Sequence, residues 1–505
     1  MKLSKLLERV EYKVLNRFVD YEIKDIVSDT RRVCKDIIFV AIKGKQYDSH
    51  TETLKVANAG AKCIVLEEEC LSAINGVDFE SDIFSEVSVI TVKNSRMALG
   101  IISAAFFGYP SDDMISVAIT GTKGKTSTAA MVKSLLTECG YNTGVIGTTG
   151  VFYNGKKIST DNTTPFAYDL QKVLSEMKSE GVNAFVMEAS SLGLISYRTA
   201  GIHFNYGIFT NLGHDHIGGL EHESFEEYLY AKSMLFDNCD VGILNADDPY
   251  SEKMVENKAL KVFYYGKHEK KDCNEIVATK VDYLLENGKT ITRFKTKGLI
   301  SSDFAISSPG EFAIYNCLSV LVMGYLLNAN VSLIQEALDK TYVEGRTQPV
   351  FVSDKFSVIV DYAHNAMSLE SVIKAFRVYN PGRIVTVFGC GGNRPKERRF
   401  SMGEVSGELS DFTIITSDNP RFEEPEEIIK DIVTGINRTR GSYITIIDRV
   451  KAIEYAIRKA KPDDIILIAG KGHEDYQEIR GVKYHMKDSE TVEAVRDKLL
   501  EEKLI

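Results

Sequence analysis

Residues 118–131 read AITGTKGKTSTAAM, and how this stretch is read decides the fold around it. An apolar, β-branched run, MISVAIT at 114–120, enters two glycines, and STAAMVKSLLTECG at 127–140 leaves them with helical periodicity. Strand, glycine turn and helix in that order make a phosphate-binding arrangement. The full pattern GxxxxGK[ST] is not met, because Ile119 stands five residues before Gly124. The shorter Thr120-Gly121-Thr122-Lys123-Gly124-Lys125-Thr126-Ser127 keeps the physical ingredients. Gly121 and Gly124 let backbone N–H groups face phosphate oxygens, Lys125 supplies a cation, and the Thr126 hydroxyl can reach Mg²⁺. A basic surface turn is the competing reading, and the strand and helix that bracket the loop disfavour it.

Outward from the loop, the same rhythm continues in both directions. Upstream, DIIFVAI (36–42), LKVANAGAKCIVLEE (54–68) and VSVITVKN (87–94) outline a small α/β unit, followed by the helical SRMALGIISAAFFG (95–108). Downstream, NAFVMEAS (183–190), YGIFTNL (206–212) and VGILNADDP (241–249) carry the rhythm to about residue 346. FSVIVDYAH (356–364), RIVTVFGCGG (383–392), FTIITSDNP (412–420) and DIILIAGKGHE (464–474) then predict a second doubly wound, mostly parallel sheet. The expected fold class is α/β in three domains, 1–93, 94–346 and 347–505. Ligands of such sheets sit at the carboxyl ends of the strands, so the loops there are the candidate sites.

Bulk properties agree. A chain of 505 residues is too long for one core and predicts roughly three domains. The 44% apolar and 26% charged content is that of packed globular domains. A net charge of -10 argues against sequence-independent nucleic-acid binding and favours a small-molecule partner. The eight cysteines show no CxxC pair or zinc spacing, which fits reduced thiols in a cytoplasm. The charged N-terminus and the absence of any run of 18 uncharged apolar residues predict a protein neither exported nor membrane-spanning. A nucleotide with Mg²⁺ needs further oxygen ligands, and Glu188, at the end of AFVMEAS, stands where one is required. His216 in NLGHDHIG is a second candidate.

Eleven motifs then occur in one order: VSDTRRVCKDIIFVAIKG, GTKGKTS, DNTTP, MEASS, YAKSMLF, NADDP, VEGRTQPV, VDYAHNAMSL, FGCGGNRPKERR, TSDNPRFEEP and GKGHEDYQ. This series resembles the Mur ligases, ATP-dependent amide-forming enzymes of peptidoglycan synthesis, and within them the branch that extends UDP-MurNAc-L-Ala-D-Glu by one diamino acid. The resemblance implies that ATP phosphorylates the substrate carboxylate to an acyl phosphate, which the incoming amine attacks. It implies an N-terminal domain for the uridine nucleotide, a central ATPase-like domain and a C-terminal Rossmann-like domain for the amino acid.

Carried over residue by residue, the resemblance assigns Gly121, Thr122, Lys123, Gly124, Lys125, Thr126, Ser127, Asn316, Arg346, Asp361 and His364 to ATP. It assigns Thr126, Glu188, His216 and Lys232 to two Mg²⁺ ions, with Lys232 carbamylated by CO₂, because an ammonium cannot ligate a cation. Catalysis would rest on Lys125, Glu188, His216, Lys232 and Arg346. Thr30, Arg31 and Tyr47–His50, with Asp48 and His50 foremost, resemble the uridine side. Asn162, Thr163, Thr164, Ser190 and Arg198 resemble contacts to the muramoyl dipeptide.

The amino-acid pocket would comprise Arg394, Asp418, Asn419, Pro420, Arg421, Gly470 and Glu474. Two guanidinium forks, Arg394 and Arg421, suit the distal carboxylate of meso-diaminopimelate, whereas L-lysine ends in an ammonium. Lys123, Ala189, Leu192 and Ala313 depart from the family's usual residues, and DHIGGLEHESFEEYLYAK and DYAHNAMSL look more like the lysine-adding members. L-lysine or another diamino acid and a non-catalytic nucleotide-binding homologue therefore stay open, while folylpolyglutamate synthesis, a relative with the same chemistry, is disfavoured by the uridine-type N-terminal domain and by Asp-Asn-Pro-Arg at 418–421. A cytoplasmic monomer is expected.

Overall fold

Ile37, Ile38, Phe39 and Val40 are all fully buried, the mark of a strand covered on both faces. In the computed structural model, which describes residues 1–502 apart from 75, 215, 216, 219, 220, 271, 272 and 342, this strand belongs to a five-stranded sheet. Its order is Lys13–Val14, Ser88–Val92, Cys63–Glu67, Ile37–Val40, Asp25–Val27. The four longer strands pair in parallel and the first is antiparallel. Side-chain alternation divides the strand between two cores. Ile38 and Val40 pack with Leu3, Leu6 and the helix Ser95–Phe106, through Ala98, Ile102 and Ala105. Phe39 and Ile37 pack with Val56 and Ala57 of the helix Thr53–Asn58.

The glycine loop belongs to the next sheet. Its parallel strands run in the order Cys239–Asn245, Phe204–Phe209, Ile115–Thr120, Ala184–Glu188, Thr143–Gly147, with antiparallel Gly150–Tyr153 and Lys156–Ile158 beyond. Ile115–Thr120 is flanked by both neighbours, in a register that sets Glu188 opposite Ile119 and Phe209 opposite Thr120. The loop therefore emerges between two strand ends, the crevice where doubly wound sheets bind ligands. The helix Lys125–Glu138 follows at once. The first sheet and these seven strands lie in one compact unit, Met1–Tyr264; the second unit is Tyr265–Ile505.

The α/β rhythm expected up to residue 346 is interrupted in the second unit. Glu275–Glu286, Lys289–Gly298 and Asp303–Ile306 form an antiparallel meander. In its middle strand Thr290, Thr292, Phe294 and Thr296 are buried, while Lys289, Arg293, Lys295 and Lys297 are exposed. That period of two belongs to a sheet with one dry face, and Asn287-Gly288, both at positive φ, is a two-residue hairpin turn.

Beyond it the expected C-terminal sheet is present, in the order Gln348–Val352, Phe356–Asp361, Asp464–Ala469, Arg383–Phe388, Phe412–Ile415, Tyr443–Thr445. All its neighbours are parallel except the first pair. Helices Ala366–Arg377, Glu397–Leu409 and Pro425–Ile436 cover one face, and Arg449–Arg458 with Asp488–Glu501 cover the other. Among the described residues no helix is long and apolar enough to cross a membrane.

Candidate active site

Gly121 sits at φ +144°, and a Cβ there would lie 1.9 Å from Thr210 Oγ1. Glycine is thus required by packing against the neighbouring strand end as well as by conformation. That strand end also grips the loop backbone. Thr122 N donates to Asn211 O (2.8 Å), Lys123 N to Asn211 Oδ1 (3.0 Å), and Thr210 Oγ1 and Asn211 Nδ2 donate to Lys123 O. Gly124, at φ +89°, starts the helix on which Lys125, Thr126 and Ser127 form the first turn. The Lys125 ammonium lies over the loop, donating to Gly121 O (2.7 Å) and Thr122 O (3.1 Å).

Glu188 is 2% exposed and joins four segments. Thr126 Oγ1 donates to its carboxylate at 3.0 Å, Thr148 N donates to Oε1 at 3.0 Å, and Thr148 Oγ1 donates to Oε2 at 3.2 Å. A Cβ on Gly147 would come within 2.3 Å of Glu188 Oε1, so glycine there makes room for the carboxylate. Thr148 Oγ1 in turn meets Thr163 Oγ1 at 3.1 Å. Thr164 Oγ1 donates to Glu188 O, accepts from Ser190 N and meets Ser190 Oγ. Arg198 donates to Thr164 O at 2.8 Å and lies over the Phe166 ring at 4.4 Å. Thr126, expected at ATP, and Thr163, Thr164, Ser190 and Arg198, expected at the dipeptide, are therefore one connected network. Its hydroxyl and carboxylate oxygens suit a hard cation, and the loop N–H groups with Lys125 suit a phosphate, so the residues present fit MgATP.

Lys232, on the helix Phe225–Ser233, is 1% exposed. Its ammonium donates to Gly121 O at 2.9 Å and lies 4.6 Å from the Tyr228 ring centre. The Tyr228 hydroxyl meets Thr122 Oγ1 at 3.0 Å. His216 lies outside the described residues.

On the first sheet, an open groove of about 620 Å³ is lined by Thr30, Arg31, Gly44, Lys45, Gln46, Tyr47 and neighbours. The Arg31 guanidinium holds the Asp29 carboxyl down, to about 2. Asp48 and His50 stand behind the groove. His50 is fully buried, with Nδ1 on Asp48 Oδ1 (2.6 Å) and Nε2 accepting from Glu67 N (3.0 Å), so both ring nitrogens are engaged within this unit. Asn162 lies in a separate groove, with Asp161, Pro165, Phe166 and Asp169.

Asn316, Arg346, Asp361 and His364 belong to the second unit. Asp361 is buried, accepts from Thr347 N (2.7 Å) and Ala363 N (2.8 Å), and burial pushes its carboxyl up. The Arg346 guanidinium lies 5.0 Å from the Tyr362 ring centre, His364 Nδ1 is 2.9 Å from Tyr362 O, and Asn316 is buried in the helix Glu311–Leu326. At the carboxyl ends of the strands, Asn419 Nδ2 donates to Glu474 Oε2 (2.9 Å), and Glu478 N donates to Asn419 Oδ1 (2.9 Å). Burial pushes Asp418 up. Gly470, at φ +115°, has no room for a Cβ, which would lie 2.8 Å from Asp418 Oδ2. Pro420 is buried, and Arg421, at φ +54°, donates to Gly392 O (3.0 Å) and Glu478 Oε2 (3.3 Å). Arg394 is exposed, with no ion pair among the described residues.

Sequence reasoning missed several contributors. Thr148 and Tyr228 carry no motif signal of their own. Lys471 stood inside GKGHE but went unread: it is fully buried and donates to Asn419 Oδ1 (3.1 Å) and Glu474 Oε2 (3.3 Å). A lysine between two glycines at a strand end was the available signal.

Residues 119–324 match the Mur ligase middle domain, and 345–472 match the Mur ligase glutamate ligase domain. The UDP-N-acetylmuramoyl-L-alanyl-D-glutamate--2,6-diaminopimelate ligase of Clostridium tetani is 36% identical over 99% of this chain and 100% of its own length. A solved structure of a ligase with the same name is 26% identical, with a TM-score of 0.72 over 99% of both chains. Mycobacterium tuberculosis folylpolyglutamate synthase, solved with ADP and AMPPCP, is 16% identical, with a TM-score of 0.57 over 74% of this chain and 92% of its own, a likeness of fold alone.

Proposed function

This chain belongs to the Mur ligase family, and on that premise we propose that it is the ATP-dependent ligase that joins meso-2,6-diaminopimelate to UDP-MurNAc-L-Ala-D-Glu. A carboxylate and an amine do not condense at neutral pH without activation. A carboxylate oxygen of the substrate attacks the γ-phosphorus of ATP, the bridging P–O bond breaks and ADP leaves. The amine then attacks the acyl carbon, phosphate leaves, and the amine's proton is released. The observation that carries this reading is the Glu188 hub, which ties Thr126, beside the glycine loop, to Thr148, Thr163, Thr164 and Ser190 through contacts of 2.9–3.2 Å.

Within this reading Lys125 and Arg346 offset the charge that develops on the transferring phosphoryl group. Thr126 and Glu188 would hold one Mg²⁺, which would screen the phosphate oxygens. The Lys232 ammonium first gives up a proton, and the amine then adds to CO₂ with loss of a second proton to give a carbamate, which with His216 would hold a second ion. The buried position of Lys232 at Gly121 supports this assignment over a solvated lysine. Thr30, Arg31 and Tyr47 line the uridine groove. The domains divide at 1–93, 94–346 and 347–505, in a cytoplasmic monomer.

Diaminopimelate is preferred to lysine because Arg421 Nη2 makes no hydrogen bond among the described residues while Nε and Nη1 are anchored. A distal carboxylate fits that free edge, and an ammonium is repelled by it. Folylpolyglutamate synthesis is disfavoured by the uridine-side groove of the first sheet and by Asp418-Asn419-Pro420-Arg421. The test is phosphate release from MgATP with UDP-MurNAc-L-Ala-D-Glu and meso-diaminopimelate, L-lysine or no amino acid, for the native protein and Arg421→Ala. Diaminopimelate-dependent release that falls on substitution is expected. Release with lysine alone assigns the enzyme to the lysine-adding branch, and no release with either amine makes it a nucleotide-binding homologue.

A further inference from the structure

Two arginines of the first unit, Arg96 and Arg198, are close enough for the charge of one to act on the other, and neither makes an ion pair among the described residues. Arg96 lies in the first turn of the helix Ser95–Phe106, and Gly100, four residues on, shares its face. A Cβ at Gly100 would lie 2.6 Å from Ala200 Cβ and 2.7 Å from Ala200 O, so this face rests directly on the segment that carries Arg198. Arg96 Nη2 donates to Lys43 O (2.9 Å), the residue just before the groove-lining Gly44–Tyr47. Arg198 Nη1 donates to Thr164 O, in the network of Glu188, and its Nε is buried without a hydrogen-bond partner. Glu67, the carboxylate whose charge acts on Arg96, accepts from Ser95 N and Ser95 Oγ at 2.8 Å and makes no ion pair with Arg96. Burial lowers the proton affinity of both guanidiniums, and the charge of Arg96 lowers that of Arg198 further.

Two half-buried cations without an anion are unfavourable unless a ligand supplies one. We propose that Arg96 and Arg198 form a two-guanidinium clamp for an oxyanion of the nucleotide-linked substrate, at the passage from the uridine groove to the Glu188 network. Arg96 is the new member of the site. The inference rests on the functional reading above. The clamp's contacts to Lys43 O and Thr164 O leave donors on both forks for phosphate or carboxylate oxygens. The diphosphate and the peptide carboxylate share this chemistry.

Calorimetric titration with UDP and with UDP-MurNAc-L-Ala-D-Glu, on native protein, Arg96→Ala and Arg96→Lys, tests the clamp. Arg96→Ala is expected to weaken the full substrate about 10- to 100-fold. Arg96→Lys, which keeps the charge but loses the fork, should recover part of that loss. MgADP affinity and the unfolding temperature are read on the same samples, and both stay at the native values. Equal weakening for UDP assigns the oxyanion to the diphosphate, and weakening for the full substrate alone assigns it to the peptide carboxylate. Unchanged affinity of Arg96→Ala for both ligands overturns the clamp, as does a loss matched in MgADP affinity. A native protein that binds MgADP but neither uridine ligand overturns the functional reading itself.

Discussion

Glu188 accepts from two hydroxyls and one backbone N–H, so its carboxylate oxygens are fixed in direction. Glu188→Gln keeps the size and one acceptor while removing the charge. Folding should be retained, and the Mg²⁺ concentration for half-maximal phosphate release should rise about 10- to 100-fold. An unchanged Mg²⁺ dependence would remove Glu188 from the metal's surroundings. Asp418 gives a pH prediction. Burial raises its carboxyl pKa above the unfolded value, so its ionisation opposes folding, and stability falls as pH rises through the interval from the unfolded to the folded pKa. Asp418→Asn can still accept from Asn419 N but does not ionise. The unfolding temperature of Asp418→Asn relative to native should therefore rise as pH is raised above about 4; a pH-independent difference would sink this account. Glu188 was legible because a carboxylate ends an apolar strand beside the glycine loop. Thr148 was not, since its place at Glu188 depends on strand pairing across the sheet.

At the scale of elements, close approach through glycine recurs. The helices Glu397–Leu409 and Pro425–Ile436 meet at Gly403 and Gly435, where a Cβ would lie 2.2 Å from Ile432 O and 2.0 Å from Phe400 O. Gly435→Ala gains helix propensity but must separate the helices, and the net cost should be about 1–3 kcal/mol. Urea unfolding followed by far-UV circular dichroism checks this, and a stabilised variant would contradict the packing argument. The parallel strands were readable as apolar runs between loops. The meander at 275–306 was not read, although Asn287-Gly288 and the alternation around Phe294 were its signals. Charged residues on the wet face dilute the apolar run, and period two over one strand competes with a helical reading.

At the scale of the molecule, the glycine loop and the uridine-side groove share the unit Met1–Tyr264. Ligands that bind only the folded unit raise its stability by about 2.7 kcal/mol at a hundred times Kd. MgADP and UDP should each raise the unfolding midpoint, with hydrogen exchange slowed at 121–127 by MgADP and at 28–49 by UDP. Protection of the same segments by both ligands would argue against two sites. By itself the sequence determined the α/β class, the glycine loop between strand and helix, the family and most candidate residues, because these depend on local pattern and motif order. Only the tertiary structure decided that Glu188 joins the loop to Thr148 and Thr164, that Lys232 and Lys471 are buried, and that the helix carrying Arg96 packs on the segment carrying Arg198. Those facts arise from strand order, register and helix packing, which bring together residues that no local pattern in the chain relates.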